Sequence, residues 1–463
     1  VTPTELRARF AHRLSALYGR EVPAYTTLVE VSQEVNERAL HRDPLGAQHL
    51  GSIDRVTAER HGAIRVGTPQ ELAQVARVFG AMGMHPTGFY DLRDAHPHPI
   101  PVVSTAFRPH SREELAANPF RVFTSLLAVS DRRFFSADLA GRLRNFLHTR
   151  RLFRDDLLSL ADRAVADGGL GNSDAEVFLD LAIGSFALSG EPVDRGWYEE
   201  LEAVSSVAAD IGGVRSTHIN HLTPRVLDID DLYRSMSVRG IEMIDAIQGP
   251  PAWNGPDVLL RQTSFRALAE PRRFREDDGA ITTSSLRVRF GEVEARGIAL
   301  TPAGRQRYDE VTVAVDDARA ARPDADPAAV ARDTWNALLP ISETDWHAQD
   351  LAFFTYEITR GAAPSGPNEA DLETLLRRNL VTVAPIVYED FLPRSAAGIF
   401  SSNLTGTGSV DHGQDGFGLD TAWLSDVVGA EIPAPEDLYG VERQESLDAV
   451  RLHFGLRPTS RLH

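Results

Sequence analysis

Between His61 and Phe107 the chain commits itself to a mixed architecture, because its hydrophobic period changes there from two to 3.6 and back. His61–Val66 reads as a short strand. Thr68 as cap, Pro69 at the first helical position and Glu71 three residues after the cap start a helix whose inward stripe is Leu72, Val75, Ala76 and Phe79, running towards Gly83. Gly88–Leu92 and Val102–Phe107 then look extended. The fold class expected is therefore α+β. An earlier helix is marked by Thr2, Pro3 and Glu5, buries Leu6, Phe10, Leu14 and Leu17, and stops near Gly19.

Helical spacing in Leu157, Leu158, Leu160 and Ala161, and again in Val177, Leu179, Leu181 and Ala182, predicts a helical insertion over about 120–207. Strand character returns at Val258–Phe265 and Leu286–Gly297 and gives way to helix over Tyr308–Leu338. Ala362–Glu369 is a loop by composition, Val381–Phe391 a last apolar run, and Gly398–Gly418 a Gly/Ser/Thr-rich loop. With no repeat and no linker, 1–463 is expected to form a single catalytic domain, its helical and loop region of about 305–463 packed on the same core.

Lys plus Arg number 48 against 66 Asp plus Glu, a formal charge of -18. That field disfavours nucleic acid and anionic membranes as partners, and it means that an anionic substrate needs arginines gathered locally around it. The chain has no cysteine, so disulfides, thiolate metal sites and a catalytic thiol are excluded and His, Asp and Glu remain as metal ligands. No apolar run approaches the ~18 to 20 residues of a membrane span, and the first residues carry no apolar signal core. A cytoplasmic location is expected. Oligomeric state is not legible.

Three segments place metal-ligating side chains in strand-like sequence. In the first, Glu59–Thr68, a strand would put His61, Ala63 and Arg65 on one face, about 13 Å from end to end. A metal at His61 and a small dianion at Arg65 fit along that wall, although each residue alone also suits a structural hydrogen bond or ion pair. In the second, His218-Ile219-Asn220-His221, the two histidines share a face if helical and oppose each other if extended. Asp228, Asp230 and Asp231 just beyond lack the spacing of a calcium loop and suit a helix start. In the third, Arg287–Gly297, alternation groups Val288, Phe290, Glu292 and Glu294; if that face is the buried one, two carboxylates point inward and need a partner or a metal. Two imidazoles and one carboxylate form the facial set of non-haem Fe(II) oxygenases, and the same ligands also serve zinc hydrolases, so both metals stand at this point.

These segments, in this order and together with Ser104–Arg108, Pro119–Leu127, Leu260–Phe265 and Val387–Pro393, resemble the 2-oxoadipate dioxygenase/decarboxylase family, also called 2-hydroxyglutarate synthases. The resemblance spans most of the chain. It implies a vicinal-oxygen-chelate-like partial barrel, a curved central mixed or antiparallel sheet surrounded by helices, with His61, His221 and Glu292 as the ligands of Fe(II). It makes His218 a pocket residue and Glu294 a neighbour that orients the site. It also implies the reaction, in which a small 2-oxo dicarboxylic acid chelates Fe(II), meets O₂, loses CO₂ and is hydroxylated, turning 2-oxoadipate into 2-hydroxyglutarate in lysine catabolism. Arg65 is the expected catalytic clamp on the distal carboxylate. Gln262 and Ser395 are expected to hydrogen-bond the acid, with Arg261 a weaker candidate. Where some relatives have a small apolar residue this chain has Arg394, which would alter the preferred acid if it faces the pocket. A zinc hydrolase or isomerase and a non-catalytic dicarboxylate binder are the alternative readings.

Overall fold

A computed structural model describes residues 1–44, 52–58, 60–95, 99–287, 289–362, 371–392, 410–411, 414 and 416–456. Its strands are β1 Arg60–Val66, β2 His85–Asp91, β3 Val102–Arg108, β4 Arg121–Leu127, β5 Val193–Asp194, β6 His221–Pro224, β7 Leu260–Phe265, β8 Glu270–Arg275, β9 Ile281–Leu286, β10 Gly291–Arg296, β11 Phe354–Ile358 and β12 Val381–Pro385. Five of them make the central mixed sheet, in the order β2-β3-β4-β1-β6. β1 and β4 run parallel, and the other neighbours are antiparallel. β7 pairs with β10, β11 with β12, and β5 with the β8–β9 hairpin. Arg225 bridges to Glu294, and the Val226 N–H donates to the Glu294 carbonyl at 2.8 Å, so the β6 edge leads directly onto β10. The α+β expectation holds, and among the described residues the sheets remain open rather than closing a barrel.

Strands β1, β3 and β4 are buried on both sides, and the two sides differ in chemistry. One face carries Ile64, Val66, Val103, Phe107, Val122 and Leu126 into the largest apolar cluster, against the helices Pro3–Glu21 and Pro69–Gly80. Phe10 meets Phe120 and Phe186 edge-on, each at 5.9 Å. Each such ring, moved from water into this core, contributes about 1.5–3 kcal/mol. The opposite face is the one that matters for chemistry. Register pairs place Arg65 beside Ser125 and Ser104, Ala63 beside Phe123 and Ala106, and His61 beside Arg121, while β6 adds His221 opposite Ala63 and Thr223 opposite His61.

Both capping boxes expected from sequence are present, at Thr2/Glu5 and Thr68/Glu71. The first helix continues past Gly19 to Glu21, and Tyr18 rather than Leu17 takes the fully buried position. The stretch expected to be helical from about 120 instead begins with β4, in the interior of the sheet; from Ala137 to Gly212 it is helical apart from loops and the two-residue β5. A strand covered on both faces lacks polar alternation and cannot be told from buried helix by period. The β8–β9 hairpin was not expected either: β9 is mostly exposed Thr and Ser, without an apolar period. Most of the Ala362–Glu369 and Gly398–Gly418 loops, together with Glu59, Val288, Arg394 and Ser395, lie outside the described residues. Among the described residues no helix is long and apolar enough to cross a membrane.

Gly297, immediately after β10, runs against backbone: a Cβ there would lie 2.2 Å from the carbonyl carbon and oxygen of Asp257. Nothing flexible can yield. Gly297→Ala is expected to destabilise the protein by about 1–3 kcal/mol, read as a lowered midpoint in denaturant unfolding with unchanged slope.

Candidate metal centre

His61, on β1, and His221, at the start of β6, sit on neighbouring strands of the polar face, offset by two residues in register. Their rings stand edge to face with centroids 5.5 Å apart. Glu292 arrives from β10, where alternation and burial on both sides turn it and Glu294 inward, opposite Ser264 and Gln262 of β7. Glu292 Oε2 lies 3.5 Å from His61 Nε2, and its Oε1 lies 3.4 Å from His221 Nδ1. One ligand atom from each of the three falls within 4.8 Å of the others, and all three side chains are buried.

A divalent cation fits this donor set. At bond lengths of about 2.0–2.2 Å, ligands at right angles stand roughly 3 Å apart, close to the two distances from Glu292. Both ring nitrogens of His221 are buried without a hydrogen-bond partner, an arrangement that is costly unless another group completes it. Burial pushes the pKa of His221 down to about 4, with His61 and Arg65 adding to the effect against the pull of Glu292, so the imidazole is neutral and offers one ring-nitrogen lone pair to a cation. At His61 burial also opposes the charge, but Glu294 and Glu292 outweigh it and raise the pKa. A pair of carboxylates that stabilises imidazolium stabilises a metal cation for the same reason.

Glu294 orients His61. Its Oε2 lies 3.0 Å from His61 Nδ1, which leaves Nε2 turned to Glu292. Burial alone would raise the pKa of Glu294, but the Arg296 fork, at 2.8 and 2.9 Å, together with His61 and Arg121, holds it down to about 2. Arg296 also donates to the carbonyls of Tyr388 and Asp390, at 2.8 and 3.0 Å. Asp390 in turn receives both arms of Arg108 and the hydroxyl of Tyr439. This fixes the segment that carries Phe391, whose ring packs edge-on against His61 at 5.0 Å and beside Phe123 at 5.0 Å.

Arg65 projects from the same face as His61, and its guanidinium donates to Asp210, on the helix Ser206–Gly212. Asn220 donates to Asp210 at 2.9 Å and to His218 Nε2 at 3.1 Å, and His218 Nε2 lies 3.4 Å from Asp210 Oδ1. His218 thus stands behind Arg65, apart from the metal cluster. Gln262 Nε2 reaches Glu292 Oε2 at 3.4 Å. Arg261 turns to the opposite side of β7, where it binds Asp230 and the Pro250 carbonyl, and is set aside as a ligand for the acid. Asp228 caps the helix Ile229–Val238, in keeping with a helix start.

Three contributors had escaped the sequence reading: Asp210, Arg121 and Tyr18. Asp210 carried a signal, a lone acid in Val-Ala-Ala-Asp-Ile-Gly. Tyr18 did not, since in sequence it is one more apolar position of a helix; its hydroxyl sits 3.0 Å from the Asn220 carbonyl and 2.8 Å from that of Phe290, next to two of the ligand-bearing strands.

Residues 10–403 match the sequence pattern of the family described as 2-oxoadipate dioxygenase/decarboxylase. A Mycobacterium tuberculosis protein named 2-oxoadipate dioxygenase/decarboxylase is 56% identical over 95% of this chain and 97% of its own length. A Pseudomonas putida protein of the same name is 38% identical, over 97% of each. The crystal structure of the hydroxyglutarate synthase from Pseudomonas putida in complex with 2-oxoadipate superposes with a TM-score of 0.83 at 36% identity, covering 98% of this chain and 99% of that one. By descent as well as by the chemistry gathered on its polar sheet face, the chain belongs to the 2-oxoadipate dioxygenase/decarboxylase family.

Proposed function

We propose that the protein is an Fe(II)-dependent dioxygenase that converts 2-oxoadipate and O₂ into 2-hydroxyglutarate and CO₂. The observation that carries this reading is the buried His61–His221–Glu292 cluster on the same sheet face as Arg65, in a chain similar over nearly its whole length to proteins named for that reaction. His61, His221 and Glu292 would hold the metal, and bound there Fe(II) supplies the redox chemistry that joins O₂ to a chelating 2-oxo acid. The reaction balances without a second reductant. One oxygen atom enters the new carboxylate formed at C2 when the C1–C2 bond breaks, and the other becomes the hydroxyl at C3.

The remaining tasks fall to this chain's own residues. Arg65 clamps the distal carboxylate, its guanidinium oriented by Asp210. Gln262, beside Glu292, is within range to hydrogen-bond the chelating end. His218 supports Arg65 through Asp210, Ser395 is assigned to hydrogen-bond the acid by resemblance, and Arg394, where this chain departs from some relatives, is assigned to tune which acid is preferred. Phe391, Phe123 and Ala63 form an apolar wall by the ligands that keeps water away from the reacting carbon.

Anaerobic loading with Fe(II), followed by 2-oxoadipate and air, should consume one O₂ for each CO₂ released; turnover persisting in His221→Ala would overturn the assignment. Arg65→Ala is expected to raise the KM for the dicarboxylate, lower kcat, or both, with metal content near that of the wild type by elemental analysis. Loss of metal in that variant would mean that Arg65 supports the fold around the metal cluster and does not bind the acid. Glu294→Gln should weaken metal binding by roughly 10- to 100-fold, measured by metal titration rather than by turnover.

A further inference from the structure

A cavity of about 440 Å³ opens between β5, β8 and the turn that follows the helix Ser206–Gly212. Its volume is in the range of small-molecule sites. Arg215, Arg272 and Arg275 line it, along with Glu191 and Asp194, and His218 belongs to its wall. The Asp194 carboxylate is occupied by the Trp197 N–H that it caps, at 2.9 Å, and Arg215 rests over the Phe146 ring. Arg275 is exposed, whereas Arg272 is buried.

Arg272 is the feature that asks for a ligand. Its Nη1 donates to the Ser189 carbonyl at 3.0 Å, but its Nε is buried with no acceptor. The acids whose fields reach it are committed elsewhere, Asp210 to Arg65 and Asn220, and Glu270 to Arg289. A buried guanidinium with an unanswered N–H is costly, and a carboxylate answers it with charge and geometry together. The cavity is also separated from the acid clamp by a short relay: His218 lines it, His218 touches Asp210, and Asp210 holds Arg65.

We propose that this cavity is a carboxylate-binding antechamber, in which Arg275 at the mouth and Arg272 in the wall capture the 2-oxo acid before it reaches Arg65. The inference rests on the function proposed above. It answers a problem posed by the chain's charge of -18, which repels a dianion from most of the surface and leaves capture to a local cationic funnel. Such a funnel acts on the rate of association and is weakened by salt.

Steady-state kinetics of the Fe(II)-loaded enzyme on 2-oxoadipate, at low and high ionic strength, test it with Arg275→Glu, Arg272→Gln and, as a control carrying the same charge change, Arg332→Glu on the exposed helix Pro327–Leu338. Arg275→Glu should lower kcat/KM about 5- to 10-fold at low salt with kcat and metal content unchanged, and the gap should close as salt rises. Arg272→Gln should do the same with a milder salt dependence, and Arg272→Lys should recover part of the loss. Arg332→Glu should match the wild type. Equal kcat/KM for Arg275→Glu and wild type at low salt, or an equal loss in Arg332→Glu, overturns the antechamber while leaving the function intact. A wild type that does not turn over 2-oxoadipate overturns the functional reading and, with it, this inference.

Discussion

The buried carboxylate of Glu294 is the point on which the site depends. An ion removed from water this completely costs several kcal/mol unless its partners compensate, and here the compensation is assembled from three parts of the chain: Arg296 two residues along β10, Arg121 from β4 and His61 from β1. Because each partner has a second task, the charge balance doubles as a positioning device. His61 is turned towards Glu292, Arg121 reaches on to Glu389, and Arg296 fastens the backbone that presents Phe391. The candidate metal cluster of His61, His221 and Glu292 therefore stands on a frame that is electrostatic as well as hydrophobic.

The central sheet divides these duties between its faces. One side is an ordinary apolar core against helices. The other is a buried polar surface whose residues repeat at every second position along β1, β3 and β4, so a one-residue slip in register would exchange core for site. The exposed surface is dominated by acids, while the interior of the site gathers arginines, and the contrast gives an anionic substrate one direction in which attraction rises.

Much of this was legible in sequence, and the reasons for the gaps are physical. Capping boxes and period-two runs located β1, the helix after it and β10, because local signals suffice for those elements. Alternation nominated Glu292 and Glu294 together and could not rank them, since both do face inward; family resemblance ranked them, as it ranked His221 above His218. β4 was lost because a strand buried on both faces has no polar alternation to reveal it. Arg261, the weakest candidate in sequence, ranks below Gln262 in the fold as well because residues adjacent in a strand point to opposite sides, and Gln262 shares the face of Glu292. Asp210 and Tyr18 belong to the site only through contacts between distant segments, which no local pattern encodes.

The hydroxyl of Tyr18 joins a residue of the first helix to Phe290, 272 positions later. A chain leaving the ribosome cannot make that contact until Phe290 has emerged, well after the first helix is available. The frame around the candidate metal cluster is therefore completed late in synthesis, and until then the donor hydroxyl of Tyr18 lacks the Phe290 carbonyl that accepts from it. Closing so long a loop costs chain entropy before the contact repays it, so the hydrogen bonds of Tyr18 behind the site belong to the late steps of folding.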